Sequence, residues 1–324
     1  MDVPDLAHPY RLGLAVLAVA ATLFVVGVLV YVFGSFLLMR AHTGKRPLAA
    51  MLREAARETF WSLLVQPLIP LLYVVGRRMG GARGGRPIVL VHGYTQNRAN
   101  FLGLARALGR AGLGPLYGFN YPWHRDIEHS AASLGRFIDG VLAESKRDEV
   151  DVVTHSMGGL VALEYMQTAK PPRVRRVVTI ASPHGGVAWR GPLIGRSGAS
   201  MRSGAEFITG RSGRKVGVPV LSIYSSHDNI VYPPTTSSLT ARGGEDAMIS
   251  AAGHLAILFD PAVARAVADF LKKPDAAAAV ATAPAPGAEG AGALSTAVGA
   301  TTSAVGEAAT PGETAPAGPA MDAP

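Results

Sequence analysis

From Leu12 to Met39 the sequence contains no Asp, Glu, Lys, Arg or His. A helix over this run, at about 1.5 Å per residue, is longer than the roughly 30 Å hydrocarbon core of a bilayer. A cleaved secretory leader has a shorter apolar core and a small-residue cleavage site. Here bulky Phe33, Phe36, Leu37 and Leu38 close the run. Residues 1–40 are therefore predicted to be an uncleaved transmembrane anchor, and everything after it must fold beside a membrane.

The stretch 41–85 is basic. Arg40, Lys45, Arg46, Arg53 and Arg57 follow the anchor, against Arg11 alone before it, a bias that favours a cytoplasmic carboxy-terminal side. A second apolar run, Phe60 to Gly76, is at the lower length limit for crossing and is interrupted by Gln66, Pro67 and Pro70. It reads as an interfacial or re-entrant helix; were it to cross, the following domain would lie on the other side, so sidedness stays open. The chain carries +8, but no base and five acids follow Lys273, so residues 1–273 carry +13. Beside a bilayer such a surface is expected to attract anionic headgroups. No nucleic-acid recognition motif accompanies it, and no protein partner is implied. With no cysteine, disulfides and thiolate chemistry are excluded.

After a Gly/Arg hinge at 80–85, β-branched runs alternate with helical patterns. Strands are predicted at 87–94, 115–120, 150–154, 174–181, 218–224 and 247–250. Helices are predicted at 100–108, 127–142, 160–167 and 261–272. This alternation predicts an α/β domain over 86–273 with a doubly wound, mostly parallel sheet of about six strands. The Gly- and Arg-rich segment 187–215 breaks the pattern as a structureless excursion, suited either to a short lid or to a solvated loop. Residues 274–324 are Ala, Pro, Gly and Thr with few bulky side chains, a composition that predicts disorder.

Within this domain the stretch Val152-Val153-Thr154-His155-Ser156-Met157-Gly158-Gly159-Leu160 reads as a buried strand, a sharp turn carrying one serine, and an apolar helix. Taken alone, it could be an ordinary strand-to-helix turn with Ser156 capping the helix. It also resembles the nucleophile elbow of α/β-hydrolases, in particular bacterial triacylglycerol lipases and esterases carrying His-Ser-Met-Gly-Gly. Thr154 stands where that pattern usually has its first glycine. The Gly-Tyr-x-x-Asn-Arg loop formed by Gly93 to Arg98 is similar to one in membrane-linked bacterial esterase-like proteins.

A serine nucleophile needs a base, and the base needs a carboxylate to hold its tautomer. His254 lies just past the last predicted strand. Asp228 follows the strand ending at Tyr224, and Asp246 is the alternative acid. The order Ser156, Asp228, His254 is the order the resemblance implies. By the same resemblance, the backbone N–H groups of Tyr94 and Met157 form the oxyanion hole. His155 is expected in packing, His92 in the oxyanion loop, and His184 in a loop beside the pocket. Asp151, at the far end of the elbow strand, is expected to be structural. No phosphate loop, dinucleotide fingerprint or metal-ligand spacing appears, so no cofactor or metal is expected.

The resemblance implies a membrane-anchored serine ester hydrolase acting on lipid or other hydrophobic esters, in a bacterial-type inner membrane. An acyltransferase using the same residues, or a catalytically silent hydrolase-like binding module, fits the same motifs.

Overall fold

The computed structural model describes residues 8–44, 47–72, 76–169, 171–189, 191 and 193–275. The tail expected to be disordered lies outside them, apart from Pro274 and Asp275. Contacts divide the chain into two units, Met1–Lys273 and Pro274–Pro324.

Six strands form at the predicted places: β1 Ile88–Val91, β2 Leu116–Phe119, β3 Val150–His155, β4 Val174–Ile180, β5 Val220–Ser225 and β6 Glu245–Ile249. All neighbours pair in parallel, in the order β2-β1-β3-β4-β5-β6. β1, β2 and β3 are buried along their whole length. This is what a parallel sheet covered by helices on both faces requires.

The period of two sorts the side chains. Val89, Val91, Val150 and Val152 face α5 (Ile127–Ser145) and α6 (Met157–Thr168). Ile88, Leu90, Val153 and Val178 face α4 (Leu102–Arg110) and α9 (Pro261–Lys272). The strand order reverses between β1 and β3, so their carboxyl ends bound the crevice where ligands of open α/β sheets sit. Asp151 lies at the opposite end of β3, where both carboxylate oxygens accept from Arg175 (2.9 and 3.1 Å). It is remote from the crevice.

Ahead of the sheet run α1 (His8–Thr43) and α2 (Leu48–Val65). From Tyr10 to Thr43, α1 is long and apolar enough to cross a membrane, by length and composition. Its first part exposes Leu12, Leu14, Leu17, Val19, Leu23 and Val30. Its last part does something else. Val32, Phe36 and Met39 are buried against Met51 and Ala55 of α2 and against Tyr232.

The second apolar run is not one helix over 60–76. The chain continues from α2 into a 3₁₀ turn at Gln66–Leu68 and a short α3, Ile69–Leu72. Pro67 and Pro70 each remove an N–H donor, which is why the helix is broken there. α2 itself buries Met51, Glu54, Ala55, Glu58, Ser62 and Val65 against the rest of the unit. Among the described residues only α1 has the length and apolarity to cross a bilayer.

The segment 187–215 also differs from expectation, because it is structured. It forms α7 (Gly195–Ser200), α8 (Glu206–Thr209) and a bridge between Val187 and Arg202. Two of its arginines, Arg202 and Arg211, hold it down. Arg202 donates to the carbonyls of Trp189 and Gly191 (both 3.0 Å). Arg211 lies over the Phe207 ring and pairs with buried Glu164 and with Glu128.

Candidate active site

Ser156 sits between β3 and α6 at φ 53°, ψ −127°. A non-glycine residue at positive φ is strained and persists only where the surroundings enforce it. The enforcing contacts are backbone. Ser156 N–H donates to the Ile180 carbonyl (2.8 Å), and α6 passes under the end of β1. A Cβ on Gly158 would lie 2.3 Å from the Val91 carbonyl oxygen and 2.7 Å from that of His92. Glycine is required there. Gly158→Ala is expected to cost about 1–3 kcal/mol, the range for overpacking, read as a lower unfolding midpoint in mild detergent.

The Ser156 side chain makes no capping hydrogen bond to α6, so a capping role does not account for it. The departure at Thr154 is also explained. Its hydroxyl donates to the Val178 carbonyl at 3.3 Å, and Gly159 above it has no side chain to collide. A Cβ on Gly159 would come within 2.2 Å of Ser182 Oγ and 3.3 Å of Thr154 Oγ1. The second glycine of the Gly158-Gly159 pair leaves the space that Thr154 fills.

His254 is brought to Asp228: its Nδ1 lies 2.9 Å from Asp228 Oδ2 and 3.1 Å from Oδ1. Asp228 Oδ1 also accepts from the N–H groups of Ile230 (2.8 Å) and Val231 (2.7 Å), so the carboxylate is fixed by its own loop. Burial opposes a charge on His254, but the Asp228 carboxylate, by charge and hydrogen bond, and Glu58 behind it carry the net shift above the ordinary histidine value. Asp246 is elsewhere, accepting from Leu239 N–H (2.9 Å) and from the Ser238 hydroxyl.

Ser156 and His254 line one cavity of about 340 Å³. Tyr94 and Gln96 come from the loop after β1, and Val187, Trp189, Leu193, Ile194 and Met201 from the 187–215 segment. Two further walls come from ahead of the sheet: Tyr31 of α1, and Glu58 and Ser62 of α2 with Gln66 just beyond it. The Tyr94 hydroxyl donates to the Ile194 carbonyl (2.7 Å), which ties that loop to the cover. Met157 is the first residue of α6, where an N–H has no intrahelical acceptor. Gly93 is packed so closely that a Cβ there would lie 2.8 Å from that of Ser156, so the loop after β1 runs against the serine turn.

Sequence reasoning missed two side chains. His155 is a connector: Nε2 lies 2.8 Å from the His254 carbonyl oxygen and Nδ1 2.9 Å from Gln96 Oε1. Burial, with the His254 charge nearby, holds it well below the ordinary histidine value, so it is neutral and carries one ring proton. Glu58 is the other, a buried carboxyl group bonded to the backbone just after His254. His92 and His184 are buried and neutral as well, lowered by burial to about 4 and about 3. His92 Nδ1 meets the Gly93 carbonyl at 2.9 Å and its ring stacks on Tyr121. Among the described residues no group of three or more His, Asp or Glu could hold a metal ion.

The strand order, the serine turn at the reversal and the histidine after the last strand form one pattern, and the family profile described as the α/β hydrolase fold matches residues 86–196. The domain is an α/β-hydrolase fold. Lipase B of Aspergillus fumigatus is similar over 57% of this chain at 20% identity, with a TM-score of 0.53. The chain spans about half of that lipase, 52% of its length. Carboxylesterase CesB of Bacillus subtilis is similar over 60% of this chain and 86% of its own, at 17% identity and a TM-score of 0.43. Lipase BlEst2 of Bacillus licheniformis is similar over 55% and 88%, at 16% identity and a TM-score of 0.48. In none of these comparisons does the matched share reach the whole chain, and the hydrolase-fold domain is preceded here by α1 and α2.

Proposed function

We propose that this chain is a membrane-anchored serine ester hydrolase acting on hydrophobic, lipid-type esters through an acyl-enzyme. The observation that carries the reading is the pairing of His254 with Asp228 at the wall of a cavity that also holds a strained, uncapped Ser156. Ser156 Oγ attacks the ester carbonyl while His254 Nε2 takes its proton. The N–H groups of Tyr94 and Met157 receive the developing oxyanion. His254 then protonates the departing alkoxide, and the same base activates a water that releases the acid from Ser156.

The cavity supports an apolar acyl group, since Trp189, Leu193, Ile194, Met201 and Ile230 face it. Membrane seating is supported by α1 and by an outward stripe on and after α2. Leu52, Phe60, Leu64 and Leu68 are exposed there, as are Leu37 and Leu38 of α1. Soluble chains rarely leave so many large apolar side chains contiguous in water.

The test is labelling by a long-chain alkyl fluorophosphonate on protein reconstituted in phosphatidylcholine liposomes. The expected result is a protein that floats with the liposomes and carries one adduct, on the peptide containing Ser156. Folded protein that floats but takes no label, or takes it elsewhere, would overturn the enzymatic reading; protein left in the aqueous fraction would overturn the anchor.

A further inference from the structure

The proposed base sits on a loop, and a loop is placed by whatever its backbone is bonded to. Around His254 three consecutive amides donate to side chains. His254 N–H goes to Asn229 Oδ1, Leu255 N–H to Glu58 Oε1 and Ala256 N–H to Glu58 Oε2, each at 2.8 Å. Asn229 belongs to the loop that carries Asp228. Glu58 does not belong to the hydrolase fold at all: it arrives from α2, 197 and 198 residues away in sequence.

The rest of α2 grips the same loop. Arg57 donates to the Ala251 carbonyl (3.2 Å) and lies 3.7 Å from Asp260, and the Trp61 ring stacks on Phe259 at 3.8 Å between centroids. The fit is tight at the centre, where a Cβ on Gly253 would meet Glu58 Oε2 at 2.4 Å. α1 joins through Asn229, whose amide donates to Ser35 Oγ at 2.7 Å. Glu58 is fully buried, and a buried carboxylate is costly unless its oxygens are satisfied. A neutral side chain would fill the space at lower cost, so the charge and its two parallel acceptors call for a reason beyond packing.

We propose that Glu58 is a positioning residue for the catalytic histidine: its carboxylate clamps the Leu255 and Ala256 amides, so that the base is set by the juxtamembrane helix rather than by the sheet alone. This rests on the serine-hydrolase reading given above. Charged and titratable groups facing Glu58 are His254 and Asp228 from the hydrolase loops and Tyr31 from α1. Glu54 and Arg57, paired to each other at 3.1 Å, flank it on its own helix. Burial raises the Glu58 carboxyl to about 7, against the two N–H bonds that lower it. The clamp is therefore complete above that value and weakens below it, as a proton removes one acceptor oxygen.

Glu58→Gln in the full-length protein tests this. One amide oxygen replaces two carboxylate oxygens, and the negative charge behind the imidazole is lost. The expected result is a fall in kcat of up to about 100-fold, the cost of a small misplacement of a reacting group, with KM for a short soluble ester little changed. The acid limb of the pH profile should move to lower pH, because imidazolium is no longer stabilised by Glu58. Hydrogen exchange at Leu255 and Ala256 should accelerate. Folded Glu58→Gln with wild-type kcat and an unmoved acid limb would overturn the proposal.

Exchange, and titration of the His254 ring by NMR, need no turnover. If the wild-type protein hydrolyses no ester, the enzymatic reading fails on its own, and the clamp is judged by those two signals; both unchanged in Glu58→Gln would sink it. Should Glu58→Gln not fold, Gly253→Ala pushes the carboxylate away without removing its charge. It is expected to lower kcat, and wild-type kcat in that variant would also count against the clamp.

Discussion

Ser156→Ala is expected to lower kcat for a chromogenic acyl ester by about 10⁶-fold, leaving a residual rate still about 10³–10⁴ above water. The change removes one oxygen from a turn whose backbone is held by Ile180, Val91 and His92, so the fold should survive with its unfolding midpoint near that of the parent. His254→Ala should cost about as much, and the double variant should cost hardly more than either single one. Nucleophile and base act as a unit, so removing the second part after the first has little left to remove. Kinetics normalised to folded protein would measure this. A Ser156→Ala variant retaining more than about 1% of kcat would place the nucleophile elsewhere, since no group acting only by binding or oxyanion stabilisation reaches that level.

Asp228→Asn is expected to lower kcat by about 10⁴-fold, the loss seen when the orienting carboxylate of such a triad is neutralised with geometry intact. The local bonds dictate which way the new amide turns. Oδ1 already accepts from Ile230 and Val231, so the asparagine oxygen stays there and its NH₂ faces His254 Nδ1. A donor in that place forces the imidazole proton onto Nε2, the nitrogen that must accept from Ser156. The pH profile supplies a second reading with a definite sign. Asp228 raises the histidine against the effect of burial, so the surviving activity should lose its acid limb to lower pH. Asp246→Asn, whose carboxylate accepts from Leu239, Ser238 and Tyr224, should leave kcat within a small factor of the parent.

Much of the hydrolase-fold domain could be read from local pattern. Five of the six strands are short, mostly apolar runs closed by Gly, Pro or a polar turn, β6 opens on two acids, and each falls within a few residues of its predicted range. The serine turn was legible because its constraint is local too: Gly158 must clear the carbonyls of β1, and that need is written as a glycine two residues on. Asp228 and His254 are candidates from their place after strands and from the chain order the resemblance implies, and the structure brings the two side chains together.

What stayed hidden depends on separation along the chain. Glu58 sits in a basic, amphipathic stretch directly after Arg57, where an acid ordinarily faces solvent. Nothing within α2 announces that Glu58 faces inward, towards amides nearly 200 residues away. His155 was hidden for a related reason, because its two partners, Gln96 and the His254 carbonyl, lie on different loops. Arg196 and Arg211 read as free charge because their acids, Asp126, Glu128 and Glu164, belong to the preceding half of the domain.

α1 is one unbroken helix, and its two ends have different duties. From Tyr10 to Tyr31 it presents apolar side chains outward over about 33 Å at 1.5 Å per residue, close to one hydrocarbon thickness. From Val32 onward it is packed into the unit that holds Ser156. Tyr31, at the changeover, lines the cavity, with the Trp189 ring 6.5 Å away. With α1 across a bilayer, such a rod works as a ruler: the height of the cavity rim above the lipid is set by helix length and not by a flexible tether. A thicker bilayer draws the rim down among the headgroups and a thinner one lifts it clear, so for a protein built this way membrane thickness itself becomes a variable in substrate supply.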